Sequence, residues 1–133
     1  SATSRDLLRD ALNAWRSALA QAGAGGIFKL VFAETCRFPQ LADFWLRNVI
    51  VPVRRHIGAI VDQGIARGEF RAVDPDLVVQ CLVLPIVTAC LYRRVIPPSG
   101  SDDPLTKAPD LLDQHLDIFL EGLAGRASQD TRQ

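Results

Sequence analysis

From Leu77 to Tyr92 the chain reads LVVQCLVLPIVTACLY. Only Gln80 and Thr88 interrupt about four helical turns of apolar side chains, so no single dry stripe separates a buried face from a wet one. Such a segment has to be covered on nearly every side. A membrane span wants roughly 20 uninterrupted apolar residues. This run is shorter, holds Pro85 in its middle and ends at Arg93 and Arg94. Burial inside protein is therefore the expectation, with no membrane as partner. One domain of 133 residues covers such a helix readily from one direction, and covering it all round calls for a second subunit.

Charge narrows the partners further. Fifteen Lys and Arg balance fifteen Asp and Glu, so the chain lacks the positive field that grips a polyanion through its phosphates. With 48% hydrophobic and 23% charged residues it reads as a soluble globular domain, not a disordered, collagen-like or disulfide-built one. Cys36, Cys81 and Cys90 all sit in apolar segments, an odd set without small-protein spacing. Buried free thiols in a reducing cytoplasm are expected, and no secretory leader opens the chain. The chain has no methionine, so Ser1 is read as a processed start with sequence missing upstream. Arg far outnumbers Lys, with Lys29 and Lys107 the only lysines, which suggests a GC-rich bacterial genome.

Thr3 or Ser4 can cap a first helix running to about Ala22, with Asp6 where the helix dipole favours an acid. Its stripe is Leu8, Leu12, Trp15 and Leu19, and Gly23, Gly25 and Gly26 end it. A second helix, Ile27 to Phe38, is apolar on several sides and reads as mostly interior, closed by Pro39. A long third helix follows from about Pro39 to Arg67. Trp45, Val49, Val53, His56, Ile57 and Ile60 form its buried stripe, and Asp43, Arg47, Arg54, Arg55 and Asp62 its wet face. Pro52 removes the bond to the carbonyl of Asn48 and predicts a kink. Gly68 closes this helix, and Asp74-Pro75-Asp76 starts the fourth, with Arg93 and Arg94 complementing its C-terminal dipole. After a breaker-rich loop from Pro97 to Asp103, a fifth helix runs from about Lys107 or Asp110 to Leu123. No segment alternates with period two. The expected fold is all-α, a bundle of about five main helices in a single domain over 1–125, with a frayed tail over 126–133.

Three passages, LVFAETCRFPQLADFW, GIARGEFRAVDPDLVVQCL and LLDQHLDIFLEGLAG, together resemble the C-terminal regulatory domain of the TetR family of bacterial transcriptional repressors. The likeness covers nearly the whole chain. Its most specific parts are G-E-F-R-x-x-D-P, between the third and fourth helices, and the terminal E-G-L. The resemblance implies an all-helical unit that binds a small-molecule effector and forms a homodimer, with the last two helices of each subunit packed into an intersubunit four-helix bundle. It implies no cofactor. It also places a helix-turn-helix DNA reader N-terminal to this region. Nothing in the chain gives a short helix, tight turn and basic recognition helix, so DNA is expected as a partner only through a domain absent here.

At about 100° per residue the fourth helix divides in two. Leu77, Gln80, Cys81, Leu84, Thr88, Leu91 and Tyr92 share one side; Val79, Leu82, Val83, Ile86, Ala89 and Cys90, with Arg93, share the other. The uniformly apolar side with small residues suits close helix packing, and the side with sparse polar groups suits a small-molecule pocket. The expectation is a dimer face at Val79, Leu82, Ile86, Ala89, Cys90 and Arg93, extended by Leu112, Leu116, Phe119 and Leu123 of the last helix. The pocket would take Gln80, Cys81, Leu84, Thr88 and Tyr92. The reverse assignment stays open.

His56, with Asn48 and the carbonyl freed by Pro52, is the best polar candidate for ligand contact, against the plain alternative of a core histidine satisfied by a backbone carbonyl. Trp15, Phe28, Phe32 and Trp45 could line an aromatic pocket, each also readable as ordinary core, with Val49 as a further ligand-binding residue. A moderately apolar or aromatic ligand fits these groups. An enzyme does not: His56 and His115 lie on different helices, and there is no HExxH, paired-Cys motif, phosphate loop or nucleophile elbow. No catalytic residue or metal ligand is predicted. The other class of function that fits is a helical dimerisation or protein-interaction domain with no small-molecule ligand.

Overall fold

The computed structural model describes residues 2–95 and 111–125, and the side chains of 2–92 and 111–125. Thr3 begins α1 (Ser4–Ala22): its extended backbone leaves the hydroxyl free to accept the Asp6 N–H at 3.1 Å. Gly23, at φ 64°, ends the helix and returns its N–H to the carbonyls of Ala20 and Leu19. Then α2 (Ala24–Glu34) starts at once, because Gly25 and Gly26 are accommodated inside it rather than breaking it. Interior glycine costs a helix about 1 kcal/mol, which packing of Ala24 and Phe28 offsets. The helix stops before Phe38, at a turn where the Arg37 and Phe38 amides both reach the Glu34 carbonyl. It is also less interior than its composition suggests. Ala24, Phe28 and Val31 are buried, while Ile27, Leu30 and Phe32 are exposed.

The expected long third helix is one continuous helical run in three parts: α3 (Gln40–Trp45), a π-helical turn (Leu46–Ile50) and α4 (Val51–Ala66). Pro52 has no N–H, and its ring would crowd the carbonyl of Asn48 in a regular α-turn. The backbone widens just upstream, with the Val51 N–H reaching back to the Leu46 carbonyl, and the proline is absorbed without a break.

Asp74 starts α5 (Pro75–Val95): its carboxylate accepts the Asp76 N–H at 3.0 Å and its carbonyl accepts that of Val78 at 3.2 Å. Over Pro75–Tyr92 this helix is apolar enough, at mean hydropathy 1.7, to pass a test for a membrane span, and here it packs against α2 and α4. Val78, Val79, Leu82, Val83, Ile86 and Val87 are buried in the core with Leu8, Leu12, Phe28, Ile57 and Val61. Last, α6 (Leu111–Leu123) contributes Leu116, Leu120 and Leu123 to the same core. The expected dipole role of Arg93 and Arg94, the loop from Pro97, the helix start before Leu111 and the tail over 126–133 fall outside the described residues.

The G-E-F-R passage is a structural knot. Gly68 takes φ 75°, which lets the amides of Glu69 and Phe70 both turn back to the Gly64 carbonyl. The Glu69 carboxylate accepts the Ser4 N–H at 2.6 Å, satisfying an amide in the first turn of α1. Arg71 donates its N–H to the Leu123 carbonyl and Gly125 donates to that of Glu69, beside an isolated bridge between Phe70 and Ala124. The end of α4 thus holds the start of α1 and the end of α6 together.

Along their length α1 and α6 are joined by an antiparallel ladder of ion pairs: Arg5 to Glu121 at 3.1 Å, Arg9 to Asp117 at 2.5 Å and Arg16 to Asp113 at 2.7 Å. Each pair is partly solvated, so Arg9→Ala is expected to cost only about 0.2–1 kcal/mol. Urea titration in low and in molar salt should show that loss shrinking as salt rises. A cost unchanged by salt would mean that packing of the arginine stem carries it instead.

Candidate functional site

A cleft of about 350 Å³ opens between α1 and the π-turn and first half of α4. Trp15 and Leu19 form its α1 wall, and Asn48, Val49, Pro52, Val53 and His56 its other side. Four residues expected at a ligand site, Trp15, Asn48, Val49 and His56, are thereby brought together. Asn48, Pro52 and His56 follow one another at four-residue spacing and so line up on the cleft side, while Val61 takes the core side and the buried Ile57 borders both. His56 is consequently exposed, not buried as its place in the apolar stripe suggests. Asn48 donates from Nδ2 to the Phe44 carbonyl at 2.9 Å, leaving its side-chain oxygen toward other partners.

Phe32 and Trp45 line neither this cleft nor the larger cavity described below. They form an aromatic cluster with Phe28 instead. The Trp45 ring stands edge-on to Phe28 at 5.1 Å and tilted to Phe32 at 5.2 Å. Trp45 is half-buried, and Phe32 is exposed beyond the contact.

On α5 the two expected sides are present, but the side expected to meet a partner is covered within its own subunit and the side expected in a pocket faces outward. Val79, Leu82 and Ile86, expected to meet a partner, are buried within their own subunit at 5%, 2% and 4% exposure. Gln80, Leu84 and Thr88, expected in a pocket, face outward; Cys81 and Tyr92 are half-buried, and none of the five lines either cavity. The last helix repeats the pattern. Leu116 and Leu123 are buried, and Leu112 and Phe119 are half-buried against the core, whereas Leu111 and Ile118 are exposed. The reason is a matter of precedence: the side with the most apolar area is covered first by the helices of its own chain. The side chain of Arg93 lies outside the described residues.

Ile86, Ala89 and Cys90 border a larger open cavity of about 690 Å³. The second half of α5, the end of α1, the start of α2 and the start of α6 enclose it, with Arg16, Ser17 and Asn13 supplying polar groups. Nothing in the sequence reading pointed there. The three acids at four-residue spacing in α6, Asp113, Asp117 and Glu121, against Arg5, Arg9 and Arg16 in α1, were the available signal for the helix pairing that builds it.

Between α4 and α5, the Arg54 guanidinium grips the Asp76 carboxylate with two donors, Nε at 2.6 Å and Nη2 beside it. The hydrogen bond to Asp76, then its charge, raises the pKa of Arg54 above its ordinary value. Among the thiols, Cys36 is exposed, correcting the expectation of burial, and Cys81 and Cys90 are half-buried. Cys36 sits in the turn after α2, where the chain has left the core. Among the described residues no three His, Cys, Asp or Glu side chains come together as a metal site.

The family model described as "Tetracyclin repressor-like, C-terminal domain" matches residues 2–103, well over half of the chain. No curated protein and no solved structure matches it. The all-helical order, the G-E-F-R knot between α4 and α5 and the matched span agree, and the chain belongs to the tetracyclin repressor-like C-terminal domain family, regulatory domains of transcription factors that generally bind ligands and dimerise.

Proposed function

We propose that this chain is the effector-sensing and homodimerising part of a bacterial, cytoplasmic transcriptional repressor, with no enzymatic activity of its own. Its effector is a small, moderately apolar molecule held in the α1–α4 cleft. The observation that carries this reading is the convergence of Trp15, Asn48, Val49 and His56 on one cleft of about 350 Å³, apolar walls with two polar groups at the rim. The exposed sides of α5 and α6 are the dimer face. DNA is engaged only by a helix-turn-helix domain N-terminal to this region.

Coupling follows from the contacts. A ligand wedged against Val49, Val53 and His56 bears on α4, and Arg54 on the same helix holds Asp76 at the start of α5. Movement of α4 is thereby passed to the dimerising helix. The ligand shifts the regulator only by as much as it binds one arrangement better than the other.

1-Naphthol, an aromatic body with one hydroxyl, is a direct probe of the cleft. At a hundredfold excess over its Kd, binding adds about 2.7 kcal/mol to the folded state and raises the midpoint of thermal unfolding by several degrees. Val49→Trp, which fills the cleft, is expected to abolish that shift while keeping the helical circular dichroism. Persistent failure of 1-naphthol and a panel of apolar compounds to raise the midpoint would turn the assignment toward a ligand-free interaction domain. The exposed Ile27, Leu30, Phe44 and Leu46 would then be its contact surface.

A further inference from the structure

We propose that the cavity of about 690 Å³ between α1, α2, α5 and α6 is a second site, one that binds an amphipathic organic acid with its carboxylate on Arg16. Its size falls in the range of about 300–1,000 Å³ that small-molecule sites occupy. The body of the cavity is apolar, formed by Leu19, Ile86, Ala89, Cys90 and Leu112. One cation stands at its edge.

Arg16 is well placed to orient a ligand because two of its five N–H donors are already used to fix it. Nη1 donates to Asp113 Oδ1 at 2.7 Å and to Asn13 Oδ1 at 3.2 Å, so the guanidinium is held between two helices. The edge formed by Nε and Nη2 has no acceptor among the described residues. Two parallel N–H groups on that edge match the two oxygens of a carboxylate. The Arg16 side chain is 24% exposed, which leaves the guanidinium reachable yet shielded from full solvation, and Asp113 is 58% exposed. A solvated pair of this kind contributes little by itself, so an incoming carboxylate shares Arg16 with Asp113 at small cost. The ligand's apolar body then supplies the affinity by covering the half-buried Leu19, Ala89 and Leu112. This site shares no polar group with the α1–α4 cleft and does not depend on that cleft being the effector site.

Calorimetric titration of the full chain with decanoate and with decanol, which has the same chain and no charge, tests the assignment. Decanoate is expected to bind at least tenfold tighter than decanol, Arg16→Gln to bring the two together, and Asp113→Asn, which removes the competing carboxylate, to tighten decanoate further. The position has its own readout. Alkylation of Cys90 by N-ethylmaleimide, followed by mass spectrometry, should slow with decanoate while the exposed Cys36 reacts at an unchanged rate. Equal affinity for acid and alcohol, absence of binding by either, or a preference that survives in Arg16→Gln would overturn the proposal. Should Arg16→Gln fail to fold, the Asp113→Asn titration and the Cys90 protection decide it: no tightening together with no protection also overturns it. Binding of 1-naphthol that is blocked by Val49→Trp is unaffected by any of these results, so the two sites stand or fall separately.

Discussion

A chain carrying glutamate at both Leu84 and Ile118 is expected to fold and to run as a monomer in light scattering, and the parent chain is expected to run as a dimer. Leu84 is 55% exposed and Ile118 74%, in stripes that continue through Leu77 on α5 and Leu111 on α6. The two members of each stripe lie seven positions, about two turns, apart, so each stripe presents a ridge to a partner helix. Solvent alone is a poor neighbour for such ridges. Removing a buried apolar anchor at the centre of an interface typically costs about 2–4 kcal/mol, roughly thirtyfold to a thousandfold in Kd, and a charge in its place adds desolvation to that loss. Ile86→Glu provides the contrast. At 4% exposure, Ile86 is enclosed by its own subunit, and a carboxylate there has no partner. Loss of helical signal, not dissociation of an intact fold, is the expected outcome. A Leu84→Glu, Ile118→Glu chain that stays dimeric at micromolar concentration would show that the interface lies elsewhere.

Two glycines in α4 should respond to the same substitution with opposite signs. Gly58 and Gly64 both sit in regular helix, where alanine is intrinsically favoured by about 1 kcal/mol. A Cβ on Gly58 meets nothing within 4 Å, so Gly58→Ala is expected to raise stability by most of that amount. A Cβ on Gly64 would be driven into the ring of Phe70, which lies directly on the glycine and is 4% exposed. Overpacking of this kind costs about 1–3 kcal/mol. Because the Phe70 amide is also tied to the Gly64 carbonyl, the ring cannot retreat without disturbing the knot. Gly64→Ala is therefore expected to lower the urea midpoint, and Gly64→Ala combined with Phe70→Leu to recover part of the loss. Stabilisation by Gly64→Ala would mean that the ring is free to swing aside.

Much of the fold was legible in the sequence because its signals are local. Thr3 as a cap, Gly23 and Gly68 as stops and Asp74-Pro75-Asp76 as a start each act through a few backbone groups. The two-sidedness of α5 was legible for the same reason, as a consequence of helical spacing. Which side faces out was not. Burial of Val79, Leu82 and Ile86 is decided by α2, α4 and α6 closing on them, and a chain covers its own most apolar side before it can offer any to a partner. The π-turn was hidden because Leu46 to Ile50 contains no residue that demands it; only Pro52 downstream marks the neighbourhood. At the cleft, the grouping of Trp15, Asn48, Val49 and His56 was readable from spacing along each helix. The exposure of His56 depends on the cleft left between α1 and α4, which no short stretch records.

The knot around Glu69 also sets the order in which the chain becomes secure. The Ser4 amide waits for a carboxylate 65 positions later, and Arg5 for one 116 positions later. As a ribosome releases the chain, α2, α4 and α5 can begin to pack with the Glu69 carboxylate already available to Ser4, while α1 still lacks its ladder. The first of the six helices described is thus among the last to be locked, because its ladder partners Asp113, Asp117 and Glu121 all lie on the last one. Any event that peels α6 away, whether incomplete synthesis or a protease cutting before Leu111, therefore loosens α1.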